Sequence, residues 1–216
     1  MALLGNGAMA LWFDIAPEAV VEHDHWHTHE HLPERLSIPG FRRGTRWIAA
    51  SGSPRYFVMY EVAEVGVLAS QHYLERLDHP TPWTAKMMPA YRGMTRGLCA
   101  VTASSGLGLG HAALSIRLSP APGRHTALRE WLTNRLPALC SRPGLISACL
   151  LESALAPRMT AEQQIRGRDA AINWVLLVTG YEEDSVNALL DRELSSAAFD
   201  QQGAAAGSIS AVHRLA

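Results

Sequence analysis

The chain has 216 residues and a formal net charge of −1, from 19 basic and 20 acidic side chains. At about 150 residues per domain, this length allows one large domain or two small ones. The charge balance argues against a nucleic-acid binder, which needs a basic excess, and the apolar runs are far shorter than a bilayer-spanning segment. Hydrophobic residues make up 48% and charged residues 18%, a composition typical of a folded globular protein.

The amino terminus and the cysteines indicate the compartment. No basic residue precedes the first apolar stretch, as it would in a secretory signal. The cysteines, Cys99, Cys140 and Cys149, form no C-x-x-C pair, so neither a disulfide framework nor a cysteine zinc site is expected. We therefore predict a cytoplasmic protein whose cysteines are small buried hydrophobes.

The first half of the chain alternates between predicted strands and helices. Apolar alternation predicts a strand over residues 9–15. Pro17 then opens a helix that we expect to end at Leu32, because Pro33 would remove a backbone hydrogen bond. The remaining predicted elements of this half are strands over 41–50, 56–62 and 96–102 and a helix over 67–77.

The second half repeats the pattern of the first. Leu32-Pro33 recurs as Leu136-Pro137, and Pro39-Gly40 recurs as Pro143-Gly144 at the same offset. The polar, arginine-rich segment 156–169 has no counterpart in the first half, and we predict a surface insertion there. The predicted elements of this half are strands over 112–118, 146–152, 173–179 and 208–214 and helices over 124–136 and 185–194.

This element order predicts an α+β fold. Each half has the order strand, helix, strand, strand, helix, strand, which is the ferredoxin-like βαββαβ motif. The helices cover one face of the sheet, so two sheets packed face to face, or closed into a barrel, bury both bare faces. We predict two ferredoxin-like repeats, residues 1–104 and 105–216, that form one dimer-like α/β barrel within a single chain.

Side-chain alternation separates a uniformly apolar face of the strands from a mixed one. The apolar sets, such as Leu11 with Phe13 and Val58 with Tyr60, suit the helix interface. The mixed face is expected to line a ligand cavity inside the barrel, or else to hold a buried ion-pair network. Its predicted members are Trp12, Asp14, Arg46, Ile48, Phe57, Met59 and Glu61, followed in the second repeat by Ser115, Arg117, Leu150, Glu152, Trp174 and Leu176.

Five histidines occupy alternate positions of the first predicted helix. Residues four apart share a helix face, so His23, His27 and His31 form one row. His25 and His29 form a second. His27 and His31 could bind a transition metal through imidazole nitrogens, although no third ligand is spaced to complete the site. The alternative for His23, His25 and His29 is a solvated helix face.

The segment that contains these histidines carries further motifs. They are WHTHEHLPERL (26–36), IPGFRRG (38–44), PRYFVMYE (54–61) and HPTPWT (79–84), followed by Arg92 and Arg96. Together they resemble the EthD-like branch of the dimeric α/β-barrel superfamily, over about residues 8 to 102. The resemblance implies a ferredoxin-like barrel, often without any cofactor. Relatives across the superfamily include cofactor-free monooxygenases, polyketide cyclases, muconolactone-type isomerases and haem-binding enzymes.

The resemblance places the family's H-x-P histidine at His31, at the carboxyl end of the first predicted helix. An imidazole there could transfer a proton, or it could cap the helix end. Arg135 stands at the matching position of the second repeat, so a catalytic site would be single. Trp83 would either wall the mouth of the cavity or pack in the core. The catalytic candidates are His31, Arg46, Asp14 and Glu61. Glu30 is another carboxylate that could orient His31. The substrate-binding candidates are Trp12, Met59, Trp83, Arg117 and Trp174.

Three functions fit these residues. The first is cofactor-independent acid/base chemistry (isomerisation, cyclisation or oxidation) on a small, largely apolar organic molecule, with His31 moving the proton and Arg46 or Arg117 holding an oxyanion. The second is a non-catalytic small-molecule binding protein. The third is a haem- or metal-dependent enzyme. No glycine-rich phosphate loop is found, no nucleic acid or membrane partner is expected, and a homodimer of two-repeat chains is compatible with this architecture.

Overall fold

The computed structural model describes residues 2–156 and 159–216, and within them the strands form a closed barrel. The strands are β1 (Gly7–Ile15), β2 (Phe41–Ala49), β3 (Tyr56–Val62), β4 (Tyr91–Gly106), β5 (Ala112–Leu118), β6 (Leu145–Leu155), β7 (Ala170–Ala171), β8 (Trp174–Gly180) and β9 (Ile209–Leu215). All but β7 pair antiparallel in the closed order β1-β3-β2-β9-β5-β8-β6-β4-β1, and β7 adds to β4 in parallel. The α+β barrel expected from the repeat is confirmed.

The two repeats contribute matching four-stranded sheets to this barrel. The first repeat supplies β4-β1-β3-β2 and the second supplies β6-β8-β5-β9. The sheets join where β2 pairs with β9 and where β4 pairs with β6. Because both junctions are hydrogen-bonded, the two repeats share one continuous barrel without a free edge between them. β4 reaches Gly106 and so passes the predicted boundary at residue 104.

Helices cover the outside of the barrel. In the first repeat a 3-10 turn (Pro17–Ala19), α1 (Val20–Trp26), a π-helical turn (His27–His31) and α2 (Leu32–Leu36) follow one another without interruption. The others are α3 (Gln71–Asp78), α4 (Pro82–Met87), α5 (His125–Cys140), α6 (Ala161–Arg166), α7 (Glu183–Asn187) and α8 (Ser196–Gln201), with 3-10 turns at Val65–Ala69 and Met88–Ala90. None of the described helices is long and apolar enough to cross a membrane.

The first helical segment does not end at Leu32, as the proline led us to expect. α2 begins at Leu32 and holds Pro33 in its first turn, where a missing N–H needs no intrahelical partner. The wider π-helical turn carries the chain into α2, since the Leu32 N–H donates to the carbonyl of His27. α5 likewise continues through Pro137. His31 therefore lies within a continuous helical segment and does not cap a helix end.

The repeated proline-glycine pairs have a common structural cause. Gly40 and Gly144 follow Pro39 and Pro143, and both adopt positive φ, 95° and 83°. A side chain in that region costs about 1–2 kcal/mol. A Cβ on Gly40 would also lie 2.5 Å from a methyl carbon of Val67. The motif marks the turn from the first helical segment into the second strand of each repeat.

The interior of the barrel is filled with side chains. The rings of Trp12, Phe57 and Trp47 stack in sequence, with centroids 4.7 Å and 5.1 Å apart, and all three are fully buried. Met59 belongs to the same apolar cluster. An eight-stranded barrel is just wide enough for its side chains to fill it. The expected ligand cavity among these residues is therefore not found.

Three strands, β2, β6 and β8, present faces opposite to those predicted. In β2, Trp47 pairs with Phe57 and points inward, whereas Arg46 pairs with Val58 and faces the helices. Ile48 also packs in the helix-side core. The prediction grouped residues by polarity, but register decides the face. The same correction applies in the second repeat to Leu150, Trp174 and Leu176, which pack in its helix-side core, and to Glu152, which pairs with Arg129 of α5.

Candidate functional site

A narrow cavity lies outside the barrel, between the first helical segment and the sheet of the first repeat. Apolar side chains form its floor, among them Leu11, Phe13 and Val58. The room left for water-sized atoms is only about 30 Å³, which accommodates one or two water molecules. Its polar lining consists of His27, His31, Arg35, Tyr60, Tyr73, Tyr91, Arg96, Glu162 and Arg166.

A row of buried imidazoles follows the inner face of the helical segment. His23, His27 and His31 are buried, and neighbouring rings in the row have centroids 5.6 Å apart. His25 and His29 lie on the outer face and are exposed. The row of three was predicted from helical spacing, but the solvated position expected for His23 is wrong. That side chain packs instead in the aromatic core of the first repeat.

The imidazoles of His23 and His27 each face a phenol. The hydroxyl of Tyr91 lies 3.5 Å from Nε2 of His23, and that of Tyr60 lies 3.5 Å from Nε2 of His27. Burial lowers the pKa of both histidines and raises the pKa of both phenols. Desolvation therefore favours the neutral form of both imidazoles, although the Asp24 carboxylate, 3.1 Å from Nδ1 of His23, opposes this effect at His23.

His31 differs from its neighbours because one ring nitrogen lacks a partner. Its ring packs against Trp26 in a tilted arrangement, with centroids 4.4 Å apart, and among the described residues Nδ1 finds no hydrogen-bond partner. Burial, and then the nearby Arg35 guanidinium, hold the pKa of His31 well below 6.5. The imidazole is thus neutral, and a neutral imidazole has one nitrogen lone pair that accepts a proton.

Glu30 is hydrogen-bonded to the indole of Trp26, against which His31 packs. Its carboxylate accepts hydrogen bonds from the Trp26 indole at 3.1 Å and from the Thr81 hydroxyl at 2.6 Å. Glu30 was one of three carboxylates expected to orient His31. It acts on the imidazole through Trp26, so it is a positioning residue.

Arginines and carboxylates form the remaining wall of the cavity. Arg35 of α2 pairs with Glu162 of α6, and both side chains are almost fully buried. Asp169 pairs with Arg96 at 3.0 Å and with Arg166 at 2.9 Å. The lining thus contains three cationic side chains and one anionic side chain, with Asp169 behind it, and all five are withdrawn from solvent.

The second repeat contributes much of this wall, which the sequence did not indicate. α6 and Asp169 belong to segment 156–169, predicted as a surface insertion, yet Glu162 and Gln163 are buried. The Ala161 N–H at the start of α6 donates to a carboxylate oxygen of Asp78 at 3.2 Å. The surface prediction holds for the exposed residues 159, 164–165 and 167–168. It is wrong for Glu162 and Asp169, whose side chains find buried partners in the first repeat. Residues 157 and 158 lie outside the described residues.

The histidine row does not fit a metal ion or haem. No group of three His, Cys, Asp or Glu side chains in the described ranges is placed to hold a metal. Next to His31 stands the buried guanidinium of Arg35, and a positive charge there disfavours a cation. A cavity of about 30 Å³ does not admit a macrocycle unless much of its wall is displaced. The pair His27 and His31 therefore does not form the metal site considered from the sequence.

The other predicted catalytic residues do not meet at the cavity. Arg46 contacts Asp24 of α1, with its guanidinium 3.8 Å from the carboxylate. Asp14 lies at the end of β1, where it accepts a hydrogen bond from the Arg55 N–H at 2.6 Å. Glu61 points into the end of the barrel and forms a buried ion pair with a residue of β2 other than Arg46. That partner is Arg43, whose Nε lies 2.7 Å from the Glu61 carboxylate.

The predicted substrate-binding residues also lie elsewhere. Trp12 and Met59 are packed inside the barrel. Arg117 lies over the Trp12 ring, 5.1 Å from its centroid. Trp83 packs outside the helical segment against the exposed His25 and against the core of the first repeat, as in the second of the two alternatives predicted for it. Trp174 lies in the helix-side core of the second repeat.

Comparisons with known proteins identify the fold. The chain matches no protein-family model and no curated protein. An anthrone oxidase-like protein is 12% identical with a TM-score of 0.69, covering 97% of this chain and 90% of the other. A candidate monooxygenase from Fusobacterium nucleatum subsp. nucleatum is 11% identical with a TM-score of 0.62, covering 99% and 94%. A haem-binding protein from Thermus thermophilus is 8% identical with a TM-score of 0.54, covering 98% and 91%.

Identities this low show a shared fold and leave the EthD-like branch a prediction. The neighbours nevertheless match both repeats, since each alignment covers nearly the whole chain. The chain thus has the ferredoxin-like, dimeric α/β-barrel fold of these proteins, with both halves of the barrel supplied by one polypeptide.

Proposed function

We propose that the cavity binds a small, largely apolar organic molecule with an acidic hydrogen, and that neutral His31 removes that proton. The observation that carries the proposal is that His31 lines the cavity and has a ring nitrogen, Nδ1, without a hydrogen-bond partner among the described residues. A neutral, buried imidazole packed against Trp26 has a nitrogen lone pair with which it can accept a proton. The apolar floor suits a hydrocarbon substrate.

Proton removal leaves a negative charge on the substrate, and the lining of the cavity carries more cationic than anionic side chains. The guanidinium groups of Arg35, Arg96 and Arg166 line the same cavity. Fixed cations in a water-poor site stabilise a developing anion strongly. This gives the arginine wall the oxyanion role that the sequence suggested for Arg46 or Arg117.

Isomerisation, cyclisation and oxidation all begin with this step. The named activities of the fold neighbours favour oxidation by dioxygen. His31 would take one proton from a methylene group next to a carbonyl, and the carbanion would combine with dioxygen to give a peroxide anion. The peroxide anion takes the proton back from His31, and loss of water from this hydroperoxide leaves a ketone. One methylene group and one dioxygen molecule thus yield one new carbonyl group and one water molecule.

A non-catalytic binding protein is the second candidate, because the apolar floor suits a bound hydrocarbon whether or not His31 reacts with it. For either candidate the free volume is small, since ligand sites are commonly about 300–1,000 Å³ and the cavity leaves about 30 Å³ for water-sized atoms. A ligand must therefore displace part of the wall to enter, and α6 is the short element that closes it.

Turnover by a His31→Ala variant separates the two candidates. Oxygen uptake is measured with a panel of enolisable aromatic ketones, and we expect the variant to lose at least about 100-fold in kcat. His29→Ala is the matched control, because His29 lies exposed on the same helical segment. Full turnover by His31→Ala would overturn the catalytic proposal. Binding of these ketones by the wild type without any turnover would favour the second candidate.

A further inference from the structure

A second cleft lies at one mouth of the barrel and shares no lining residue with the cavity at His31. It has a volume of about 280 Å³, close to the lower end of ligand-binding pockets. Thr95 of β4 and residues that flank β5, β8 and β9 surround it. Its polar side chains include Ser119 and Asn173, and its apolar ones include Ile172 and Ile209.

Arg117 is the one charged side chain among the described residues that line this cleft. Its guanidinium lies over the Trp12 ring, with the central carbon 5.1 Å from the ring centroid. The indole beneath is fixed, because Trp12 Nε1 donates to the Ser115 hydroxyl at 3.1 Å and its ring stacks on Phe57. A guanidinium that stacks by its face keeps its N–H donors at the edge.

These donors lack an anionic partner. Within residues 2–156 and 159–216 no carboxylate pairs with Arg117, and burial alone lowers its pKa. Arg35, Arg43 and Arg129, by contrast, each pair with a glutamate. A half-buried cation without a counter-ion is unusual, since partly desolvated charges are normally paired.

We propose that this cleft binds a small organic monocarboxylate, with the carboxylate paired to the edge of the Arg117 guanidinium. The planar fork of an arginine matches a carboxylate through two parallel hydrogen bonds. One cation balances one negative charge, which favours a monoanion over a phosphate dianion. The hydrocarbon part of the ligand contacts Ile172 and Ile209.

Calorimetric titration with benzoate tests this site. We expect 1:1 binding by the wild type and at least tenfold weaker binding of benzamide, which has the same shape without the charge. Arg117→Gln is expected to lose at least tenfold in benzoate affinity, and Arg117→Lys less, because it keeps the charge but not the fork. Arg192→Gln, an exposed arginine elsewhere, and His31→Ala are expected to bind benzoate as the wild type does.

Three results would overturn the proposal. They are unchanged benzoate affinity in Arg117→Gln, equal affinities for benzoate and benzamide, and Arg117-dependent binding of inorganic phosphate that is tighter than that of benzoate. Nitrogen-15 amide shifts of the wild type provide a test that needs no variant to fold. Benzoate is expected to shift the amides of Ser119, Asn173 and Gly207, and unshifted amides at these positions contradict the site.

Discussion

His31 shows that histidines on one helical segment differ in burial and protonation according to the face on which they lie. His25 and His29 face solvent, while His31 is buried against Trp26 and beside Arg35. Desolvation and a neighbouring cation both oppose protonation of an imidazole. Both effects keep His31 neutral at physiological pH.

The pH dependence of turnover reports this environment. Because the pKa of His31 is held well below 6.5, we expect kcat/KM to fall on the acid side only well below pH 6.5. The double variant Arg35→Gln/Glu162→Gln removes the nearby cation together with its counter-ion, and its acid limb is expected to move to higher pH. The profiles are measured in parallel, and a wild-type acid limb at 6.5 would contradict this environment for His31.

At the scale of elements, two short helical pieces position the residues that line the candidate site. The π-helical turn at His27–His31 keeps the helical segment continuous through Pro33. α6 crosses from the second repeat and closes the cavity with the Arg35–Glu162 pair. A six-residue helix has little stability of its own, so its position depends on these contacts.

The pair between Arg35 and Glu162 is expected to matter for stability. Glu162→Gln leaves the buried guanidinium without its main counter-ion, which typically costs about 3–5 kcal/mol in free energy of unfolding. Glu130→Gln, an exposed glutamate on α5, serves as the matched control and is expected to change it by less than about 0.5 kcal/mol. Urea denaturation measures both, and equal effects would show that the pair contributes nothing specific.

The proline-glycine turns offer a second test at this scale. Gly40→Ala is expected to destabilise the protein by at least about 1–2 kcal/mol, because a positive φ disfavours a side chain. Gly66→Ala is the control, since that glycine has no positive φ and its nearest neighbour atom would lie 3.9 Å from a Cβ. Thermal denaturation compares them. Similar melting temperatures would contradict the conformational argument.

At the scale of the whole molecule, buried neutral histidines link folding to pH. His23, His27, His31 and His213 all have a pKa below 6.5 in the folded protein because burial opposes their charge. The unfolded chain therefore binds more protons than the folded one below pH 6.5. Stability is present above that pH and is lost as the pH falls.

His213 provides the clearest test of this linkage. Burial lowers its pKa to about 4, and its Nε2 lies 2.9 Å from the Ser115 hydroxyl. It should remove up to about 1.4 kcal/mol of stability per pH unit between 6.5 and 4. We expect His213→Gln to flatten the fall in unfolding free energy over that range, while the exposed His29→Gln does not. Parallel slopes for both variants would contradict the linkage.

The sequence predicted the fold well and the site only in part. Strand alternation and the internal repeat located β3 and β5 to the residue, because local periodicity carries that information. Helical spacing placed His31 in one row with His23 and His27 but did not indicate that the row is buried. The faces of β2, β6 and β8 and the position of Glu162 in segment 156–169 were wrong, since they depend on contacts with residues distant in the chain.

By itself, the sequence determined the repeat, the ferredoxin-like order of elements and the helical row of His23, His27 and His31. These follow from spacing and turn residues, which act over a few positions. Only the tertiary structure decided that the barrel interior is packed and that the cavity lies outside it. It also decided that α6 brings Glu162 to Arg35, because pairing across more than a hundred residues depends on how the chain closes.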